Sequence, residues 1–126
     1  MIDLETAERL HNILINKYGG GKGIRDEGSL LAALARPYAS FDQQDLYPTP
    51  VEKAAAIFES LIINHPFIDG NKRIAFLLLR MTLLEYDVDI TSTEDEKYDM
   101  TIAASTGAIR FDEIKAWISS KIKIQS

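Results

Sequence analysis

Residues 64–73, with the sequence NHPFIDGNKR, bring together side chains that are suited to chemistry. The segment combines one imidazole, one carboxylate, two amides and two cations. Gly70 permits a sharp reversal of the backbone, and the N–H groups that follow it at a helix start form a cradle for an anion. Lys72 and Arg73 add positive charge at the same place. The segment is therefore predicted to bind phosphate.

Two further side chains of this segment suit phosphate-transfer chemistry. Asp69 offers a hard oxygen ligand for a magnesium ion that bridges phosphate oxygens, and His65 offers a neutral imidazole that could take a proton from an attacking hydroxyl. Each also has a structural interpretation, His65 as a helix-ending residue and Asp69 as a helix N-cap. The charges of Lys72 and Arg73 oppose the helix dipole, which favours a bound anion as compensation. The combination in one loop favours a functional site.

The segment is predicted to join two strongly apolar helices. Residues 49–52, Thr-Pro-Val-Glu, are typical of a helix start with an N-cap, a proline in the first turn and a capping-box glutamate. That helix ends at His65-Pro66, because the residue before a proline is disfavoured in helical geometry. The second helix runs from Arg73 to about Tyr86 and is apolar in nearly every direction, which is typical of a buried central helix.

Four further helices are predicted from apolar periodicity and from start and stop residues. They cover Leu4 to Tyr18, Asp26 or Ser29 to Arg36, Ser92 or Thr93 to about Ser105, and Asp112 to Ile122. His11 and Trp117 occupy apolar positions in these helices and are predicted to be core residues, His11 with a hydrogen bond.

The remaining segments contain little regular structure. Residues 19–21 are all glycine and end the first helix, while residues 37–49 form a long irregular connection, either a functional lid or a plain surface loop. Residues 88–91 are strand-like but too short to build a sheet. The predicted fold class is therefore all-α, as a single compact domain of about six helices over residues 1–126.

Composition excludes several function classes. The 126 residues contain no cysteine, which excludes a disulfide framework, a thiolate zinc site and a cysteine nucleophile. The net charge of −5 argues against general binding to nucleic acid or to an anionic membrane. The longest apolar stretch, residues 74–79, is too short to span a bilayer, and no signal-peptide pattern is visible. A cytoplasmic location is expected.

The motif in residues 65–73 resembles the signature of the Fic/Doc proteins, His-Pro-Phe-x-(Asp/Glu)-Gly-Asn-(Gly/Lys)-Arg. The helical layout, with the motif between two central helices, is similar to that family over nearly the whole chain. Residues 18–20 and 23–37 also resemble the amino-terminal part of the death-on-curing (Doc) branch. Fold and function of this family are therefore expected here.

The resemblance implies a role for each position of the motif. His65 would be the catalytic base that activates the hydroxyl of a target protein, and Asp69 would bind Mg²⁺ on the phosphates of ATP. The nucleotide- and phosphate-binding positions would be Gly70, Asn71, Lys72 and Arg73. Two positions would be structural, because Pro66 shapes the turn and Phe67 pins the loop into the core.

Departures from the Fic pattern bear on the reaction. Lys72 stands where adenylyl-transferring Fic proteins have a second glycine, and Phe76 stands where they place a second arginine. Doc toxins share the Asn-Lys-Arg ending, and their family activity is transfer of the terminal phosphate of ATP to a threonine of elongation factor Tu, which blocks translation. The resemblance thus implies a Doc-type protein kinase. Because Pro66 and Gly70 are Fic-like choices, an adenylyltransferase is the alternative, and a non-catalytic nucleotide- or partner-binding module is a second one.

Regulation is expected from a second protein. The inhibitory motif of self-restrained Fic proteins, Ser/Thr-x-x-x-Glu-Gly/Asn, is approached by residues 92–96 but fails because Lys97 follows. The resemblance therefore implies an antitoxin acting in trans as a partner, besides the protein substrate. Arg80 lies one helical turn after Phe76 and is a candidate replacement for the missing second arginine, although a surface role is favoured.

Overall fold

Six α-helices form most of the part of the chain that the computed structural model describes, residues 1–123. They are α1 (Leu4–Tyr18), α2 (Glu27–Ala35), α3 (Pro50–Asn64), α4 (Asn71–Leu84), α5 (Glu94–Ser105) and α6 (Phe111–Ser120). The predicted all-α class with about six helices is confirmed. Within these residues no helix is long and apolar enough to cross a membrane. The predicted domain also includes residues 124–126, which lie outside the described residues.

Capping side chains in the sequence decide where four helices begin. The side chains that accept a hydrogen bond from a first-turn N–H are Asp3, Asp26, Thr49 and Thr93. Glu96 accepts a bond from the Thr93 N–H in return, which completes a capping box at α5. At α3 the Glu52 carboxylate accepts from the Thr49 hydroxyl at 2.8 Å instead, so the predicted N-cap is confirmed without the full box.

The core is centred on α3 and α4, which pack against each other. Their largest fully buried side chains are Ile57, Phe58, Leu61, Ile62, Ile74, Leu78, Leu79 and Leu83. One face of α4 is open, because Arg73 and Arg80 are exposed and Leu77 is half-buried. The prediction that α4 is buried on nearly every side is therefore wrong for this face, where a cleft replaces neighbouring helices.

The limits of α4 also differ from the prediction. The helix begins at Asn71 rather than Arg73, because Gly70 takes a left-handed conformation (φ 72°, ψ 20°) and acts as the N-cap. It ends at Leu84 rather than Tyr86. The last two residues of the predicted loop, Asn71 and Lys72, thus belong to the helix, and Asn71, Lys72 and Arg73 lie in its first turn.

Residues 37–49 contain more regular structure than predicted. Ser40 pairs with Asp45 and Phe41 with Gln44 in a two-stranded antiparallel hairpin, β1 (Ser40–Phe41) and β2 (Gln44–Asp45). The two turn residues between the strands have positive φ, 52° and 64°, without a glycine to signal it. In the strand-like residues 88–91, Ile90 forms an isolated bridge with Ile122.

The connection in residues 37–49 is fastened at the start of α3. Lys53 is buried and its ammonium donates to the carbonyl oxygens of Pro37 at 3.2 Å and Tyr47 at 2.5 Å. Lys53 and His65 lie near opposite ends of α3, about 18 Å apart along the helix axis at 1.5 Å per residue. The hairpin is therefore held at the end of α3 that is remote from the signature motif.

Candidate active site

His65 follows the last residue of α3 and has a left-handed backbone (φ 48°, ψ 59°). This conformation is costly for a residue with a Cβ. Arg25 compensates, since its guanidinium donates to the carbonyl oxygen of Asn64 at 2.7 Å and, through Nε, to that of His65 at 2.9 Å. A cation is favourable at the carbonyl end of a helix. The imidazole of His65 is left exposed at the rim of a cleft.

The backbone of residues 23–26 holds the motif loop in place. The N–H groups of Arg25 and Asp26 both donate to the carbonyl oxygen of Pro66, at 2.7 and 3.0 Å. The Ile68 N–H donates to Gly23 at 3.1 Å, and Ile24 forms a bridge with Phe67. The stretch that matched the Doc branch by sequence therefore positions the motif.

Asn71 closes the motif loop on itself. Its side-chain oxygen accepts from the Phe67 N–H and its side-chain nitrogen donates to the Phe67 carbonyl, both at 3.0 Å. The side-chain amide of Asn71 is therefore already used within the loop. The group that Asn71 can offer to a ligand is its backbone N–H. Phe67 is fully buried and stacks on His11, with 3.9 Å between ring centroids. This packing agrees with the structural role expected of Phe67.

The first turn of α4 presents unpaired backbone donors. The first N–H groups of a helix have no intrahelical acceptor, and Ile74 is the residue whose N–H bonds back to Gly70, at 3.0 Å. Gly70 is tightly enclosed, because a Cβ there would lie 3.2 Å from Ile15 Cδ1 and 3.6 Å from His11 Nε2. The left-handed glycine therefore begins α4 at the edge of the cleft, which both Gly70 and Asn71 line.

Asp69 is anchored at both its backbone and its side chain. Its carbonyl oxygen lies 2.7 Å from His11 Nε2, and its Oδ2 accepts from the Gly21 N–H at 2.7 Å. Because a carbonyl only accepts, the His11 proton sits on Nε2. The prediction of His11 as a buried, hydrogen-bonded core histidine is confirmed. The second carboxylate oxygen of Asp69 makes no hydrogen bond to the described residues.

Neither Lys72 nor Arg73 forms an ion pair with any residue in the range 1–123. Both side chains are exposed, and the Arg73 guanidinium stacks over the Tyr18 ring at 4.2 Å from its centroid. Cation–π stacking holds the guanidinium in place without neutralising its charge. Two uncompensated cations therefore stand at the positive end of α4, which makes this the part of the cleft that favours an anion.

The cleft has a volume of about 780 Å³ and lies between α1, the motif loop, α4 and α5. Its lining includes every predicted ligand-facing residue: His65, Asp69, Gly70, Asn71, Lys72 and Arg73. Pro66 and Phe67 are buried behind it. Residues 37–49 are absent from the lining, so this connection is a surface segment and not a lid over the cleft.

Arg80 also lines the cleft but is paired. Its Nε and Nη2 donate to the two carboxylate oxygens of Asp89 at 3.1 and 2.8 Å. These bonds raise the pKa of Arg80 and lower that of the Asp89 carboxyl. Arg80 thus does not stand as a free second phosphate-binding arginine.

Trp117 was predicted to be a core residue. It is half-buried and packs against Phe76, with 6.2 Å between the ring centroids.

The donor set around Asp69 fits magnesium better than a transition metal. No group of three or more histidine, aspartate or glutamate side chains among residues 1–123 is placed to hold a metal ion. A single anchored carboxylate suits Mg²⁺, which keeps several waters and takes its remaining ligands from substrate phosphates. Asp69 could hold such an ion only together with a bound nucleotide.

Residues 1–83 match the model of the Fic/DOC family, and the chain belongs to this family. Two curated relatives place it in the Doc branch. One, named Toxin Doc, from Mycolicibacterium smegmatis, is 43% identical over 62% of this chain and 65% of its own length. The other, Protein kinase doc of Escherichia phage P1, is 29% identical over 90% of this chain and 88% of its own length. The chain therefore matches slightly less than two thirds of the M. smegmatis protein.

The sequence did not link three supporting residues to the site: Arg25, Gly21, and His11, which was predicted only as a core residue. Arg25 was visible only as part of the branch resemblance, and Gly21 only as part of a turn. A basic residue that caps a helix can be recognised locally when it directly follows that helix. Arg25 instead lies 40 residues before His65, the residue that it caps. No local signal pairs these residues with the motif.

Proposed function

We propose that this chain is a Doc-type toxin that transfers the terminal phosphate of ATP to a threonine or serine hydroxyl of a translation protein such as elongation factor Tu. The proposal depends most on one observation: a single cleft holds an exposed imidazole, an anchored carboxylate and, at a helix start, two cations that form no ion pair within residues 1–123. This set contains a base, a metal ligand and a phosphate cradle. Its association with the Doc branch adds support.

The proposed reaction needs little covalent chemistry from the protein. The target hydroxyl oxygen attacks the γ phosphorus, the bond from that phosphorus to the β–γ bridging oxygen breaks, and ADP leaves. His65 takes the hydroxyl proton. Lys72, Arg73 and the first N–H groups of α4 hold the phosphate oxygens. Asp69 is the residue that would hold a magnesium ion, which would supply further positive charge to the phosphates.

Charge along α4 favours transfer of the terminal phosphate over transfer of the adenylyl group. Beyond the cradle, Phe76 is 7% exposed and Arg80 is neutralised by Asp89. A triphosphate that extends past the cradle along α4 therefore meets no free arginine within the described part of the chain. A terminal phosphate seated in the cradle itself is the better fit. The name of the phage P1 relative, a protein kinase, supports the same reaction.

Restraint by an antitoxin in trans is also part of the proposal. Glu96 is the glutamate of residues 92–96, the stretch that comes nearest to the inhibitory motif. Its carboxylate already accepts from the Thr93 N–H at the start of α5 and forms an ion pair with Lys121. It is therefore not available to compete for Arg73. The name Toxin Doc of the M. smegmatis relative supports a toxin that needs a separate antitoxin.

Labelled ATP tests the reaction directly. The purified chain is incubated with Mg²⁺, elongation factor Tu and ATP labelled either at the γ or at the α phosphate. We expect label on the factor from the γ position alone, and none with His65→Ala. Label from the α position alone would establish adenylyl transfer instead. Absence of label from both, with ATP still bound and growth inhibition unchanged in His65→Ala, would favour a binding module.

Lys72→Met provides a second arm with a matched control. Removal of the ammonium should weaken ATP binding by roughly tenfold, because it takes one of two cations from the cradle. Lys115→Met removes the same charge from α6, which does not line the cleft, and should leave binding unchanged. Equal effects of both variants would show that the whole-protein charge, and not the cradle, attracts the nucleotide.

A further inference from the structure

Tyr18 is the last residue of α1 and lines the cleft beside the phosphate cradle. Two cations lie over its ring. The guanidinium carbon of Arg73 is 4.2 Å from the ring centroid, and the ammonium of Lys17 is 5.2 Å from it. Half of the Tyr18 surface is exposed, so packing in the hydrophobic core does not account for the place of this ring.

The two cations differ in what else attracts them to this place. Lys17 lies in the last turn of α1, where the carbonyl end of the helix favours positive charge. Arg73 lies in the first turn of α4, where the helix dipole disfavours it. It also forms no ion pair within residues 1–123. The Tyr18 ring therefore supplies an attraction for Arg73 that the start of α4 does not.

The contact with the ring leaves the hydrogen-bond donors of Arg73 free. A guanidinium is planar and carries its N–H groups around its edge, whereas stacking uses its face. The N–H groups therefore remain available to phosphate oxygens, which a guanidinium can bind two at a time. Arg80 shows the contrast, because Asp89 already accepts from its Nε and Nη2. Stacking thus restrains Arg73 without using the groups that phosphate needs.

The ring itself is held in place from both sides along the chain. His11 precedes it in α1, and His11 Nε2 lies 2.7 Å from the carbonyl oxygen of Asp69. Gly21 follows it, and the Gly21 N–H donates to Asp69 Oδ2 at 2.7 Å. Asp69 stands just before α4, the helix that carries Arg73. The segment with the ring and the segment with the guanidinium are therefore joined at one residue, independently of the stacking.

We propose that Tyr18 is a positioning residue for phosphate binding: its ring holds the Arg73 guanidinium in the orientation in which the N–H groups bind phosphate oxygens. The inference rests on the proposed function, in which Arg73 is part of the cradle. Tyr18 acts through Arg73 and needs no contact of its own with the nucleotide. The aromatic ring is the part of the side chain that does this, and the hydroxyl is dispensable.

A double-mutant cycle tests whether Tyr18 acts through Arg73. Binding of ATP with Mg²⁺ is measured by calorimetry on the full chain for wild type, Tyr18→Leu, Arg73→Gln and the double variant. Tyr18→Leu should weaken binding roughly two- to fivefold, the effect of an exposed cation–π contact. In the Arg73→Gln background it should have no further effect, because no guanidinium is left to hold. An equal effect in both backgrounds would overturn the positioning role.

Tyr18→Phe separates the ring from the hydroxyl. Because the ring remains, this variant should bind ATP as wild type does, and it should recover the affinity that Tyr18→Leu loses. A Phe variant as weak as the Leu variant would overturn the role of the ring. Tyr18 is half-exposed, so both variants are expected to stay folded, which thermal denaturation checks.

Lys17→Met is the matched control for the loss of a cation over the same ring. Lys17 does not line the cleft, so its replacement should leave ATP binding unchanged. Tyr18→Leu should still weaken binding in the Lys17→Met background, because Arg73 is present. Loss of the Tyr18 effect in that background would assign the ring to Lys17 and overturn the proposal.

The cycle also separates this inference from the proposed function. Failure of the wild-type chain to bind ATP would overturn both. Coupling between Tyr18 and Arg73 together with transfer of label from the α phosphate would support the positioning role and overturn the kinase reaction. Additive effects of the two substitutions together with transfer from the γ phosphate would do the reverse.

Discussion

His11 Nε2 lies 2.7 Å from the carbonyl oxygen of Asp69, a bond that joins residues 58 positions apart. The same imidazole stacks on Phe67 with an interplanar angle of 11°. One buried side chain of α1 therefore contacts the motif loop at two points. It packs against the ring of Phe67 and bonds to the backbone of Asp69, the residue that carries the loop's only carboxylate. This makes His11 a positioning residue for Asp69, although it does not line the cleft.

Replacement of His11 should separate its stacking from its hydrogen bond. His11→Phe keeps an aromatic ring against Phe67 but leaves the Asp69 carbonyl without its donor. We expect a loss of about 1–3 kcal/mol in the free energy of unfolding, measured by urea denaturation. We also expect a higher Mg²⁺ concentration for half-maximal phosphate transfer. His11→Gln, which restores an N–H donor, should recover part of the Mg²⁺ response; no difference between the two variants would contradict a positioning role.

Two adjacent glycines allow a direct test of the contact between the glycine turn and Asp69. A Cβ on Gly20 (φ 116°) would lie 3.2 Å from Asp69 Cβ, whereas a Cβ on Gly19 (φ 87°) would meet nothing within 4 Å. Both alanine variants should lose about 1–2 kcal/mol of stability from left-handed strain. Only Gly20→Ala should also weaken Mg²⁺-dependent ATP binding. Calorimetry checks this, and equal ATP binding by the two variants would contradict it.

Arg25 is expected to support catalysis through the backbone of His65. Arg25→Met removes the hydrogen bonds to the carbonyl oxygens of Asn64 and His65. The free energy of unfolding should fall by only about 1–2 kcal/mol, because these bonds are exposed to solvent. It should lower kcat more than it raises KM for ATP, because the phosphate cradle is untouched. Arg9→Met removes an exposed arginine of α1 and serves as the control. A pure rise in KM in the Arg25 variant would argue against this role.

The pair of Arg80 and Asp89 predicts a pH dependence of stability. Hydrogen bonds from Arg80 lower the pKa of the Asp89 carboxyl below its usual 3.8 in the folded chain. The folded state thus binds fewer protons there, so the contribution is complete above pH 3.8 and is lost as the pH falls through the lowered pKa. Asp89→Asn should be less stable than wild type at pH 7, and the difference should shrink in acid. Urea denaturation at several pH values checks this, and a difference that stays constant in acid would refute the assignment.

Local signals in the sequence were sufficient for most of the helices. Thr49 and Thr93 cap helices because a side-chain oxygen reaches an N–H within the next turn, and Pro66 ends α3 because of a clash with its own neighbour. These effects act over a few residues and can be read in order along the chain. The hairpin in residues 37–49 was missed because its turn residues take positive φ without glycine.

The residue types of the motif predicted the contents of the site, and its layout depended on contacts across the chain. Asn71 was expected to face phosphate. Its side chain instead forms hydrogen bonds with both the N–H and the carbonyl oxygen of Phe67, each at 3.0 Å. Arg80 was a possible second phosphate ligand, and its pairing with Asp89 became visible only after the segment past α4 was placed beside it.

By itself the sequence determined the six helices, the buried central pair and the set of groups between them, because capping, proline geometry and apolar periodicity are local or additive. The tertiary structure alone decided how those groups are aimed. Gly21 and His11 fix Asp69, and Arg25 fixes the turn at His65, over separations of 48, 58 and 40 residues. Such pairings depend on which helices pack together, and no local pattern encodes that choice.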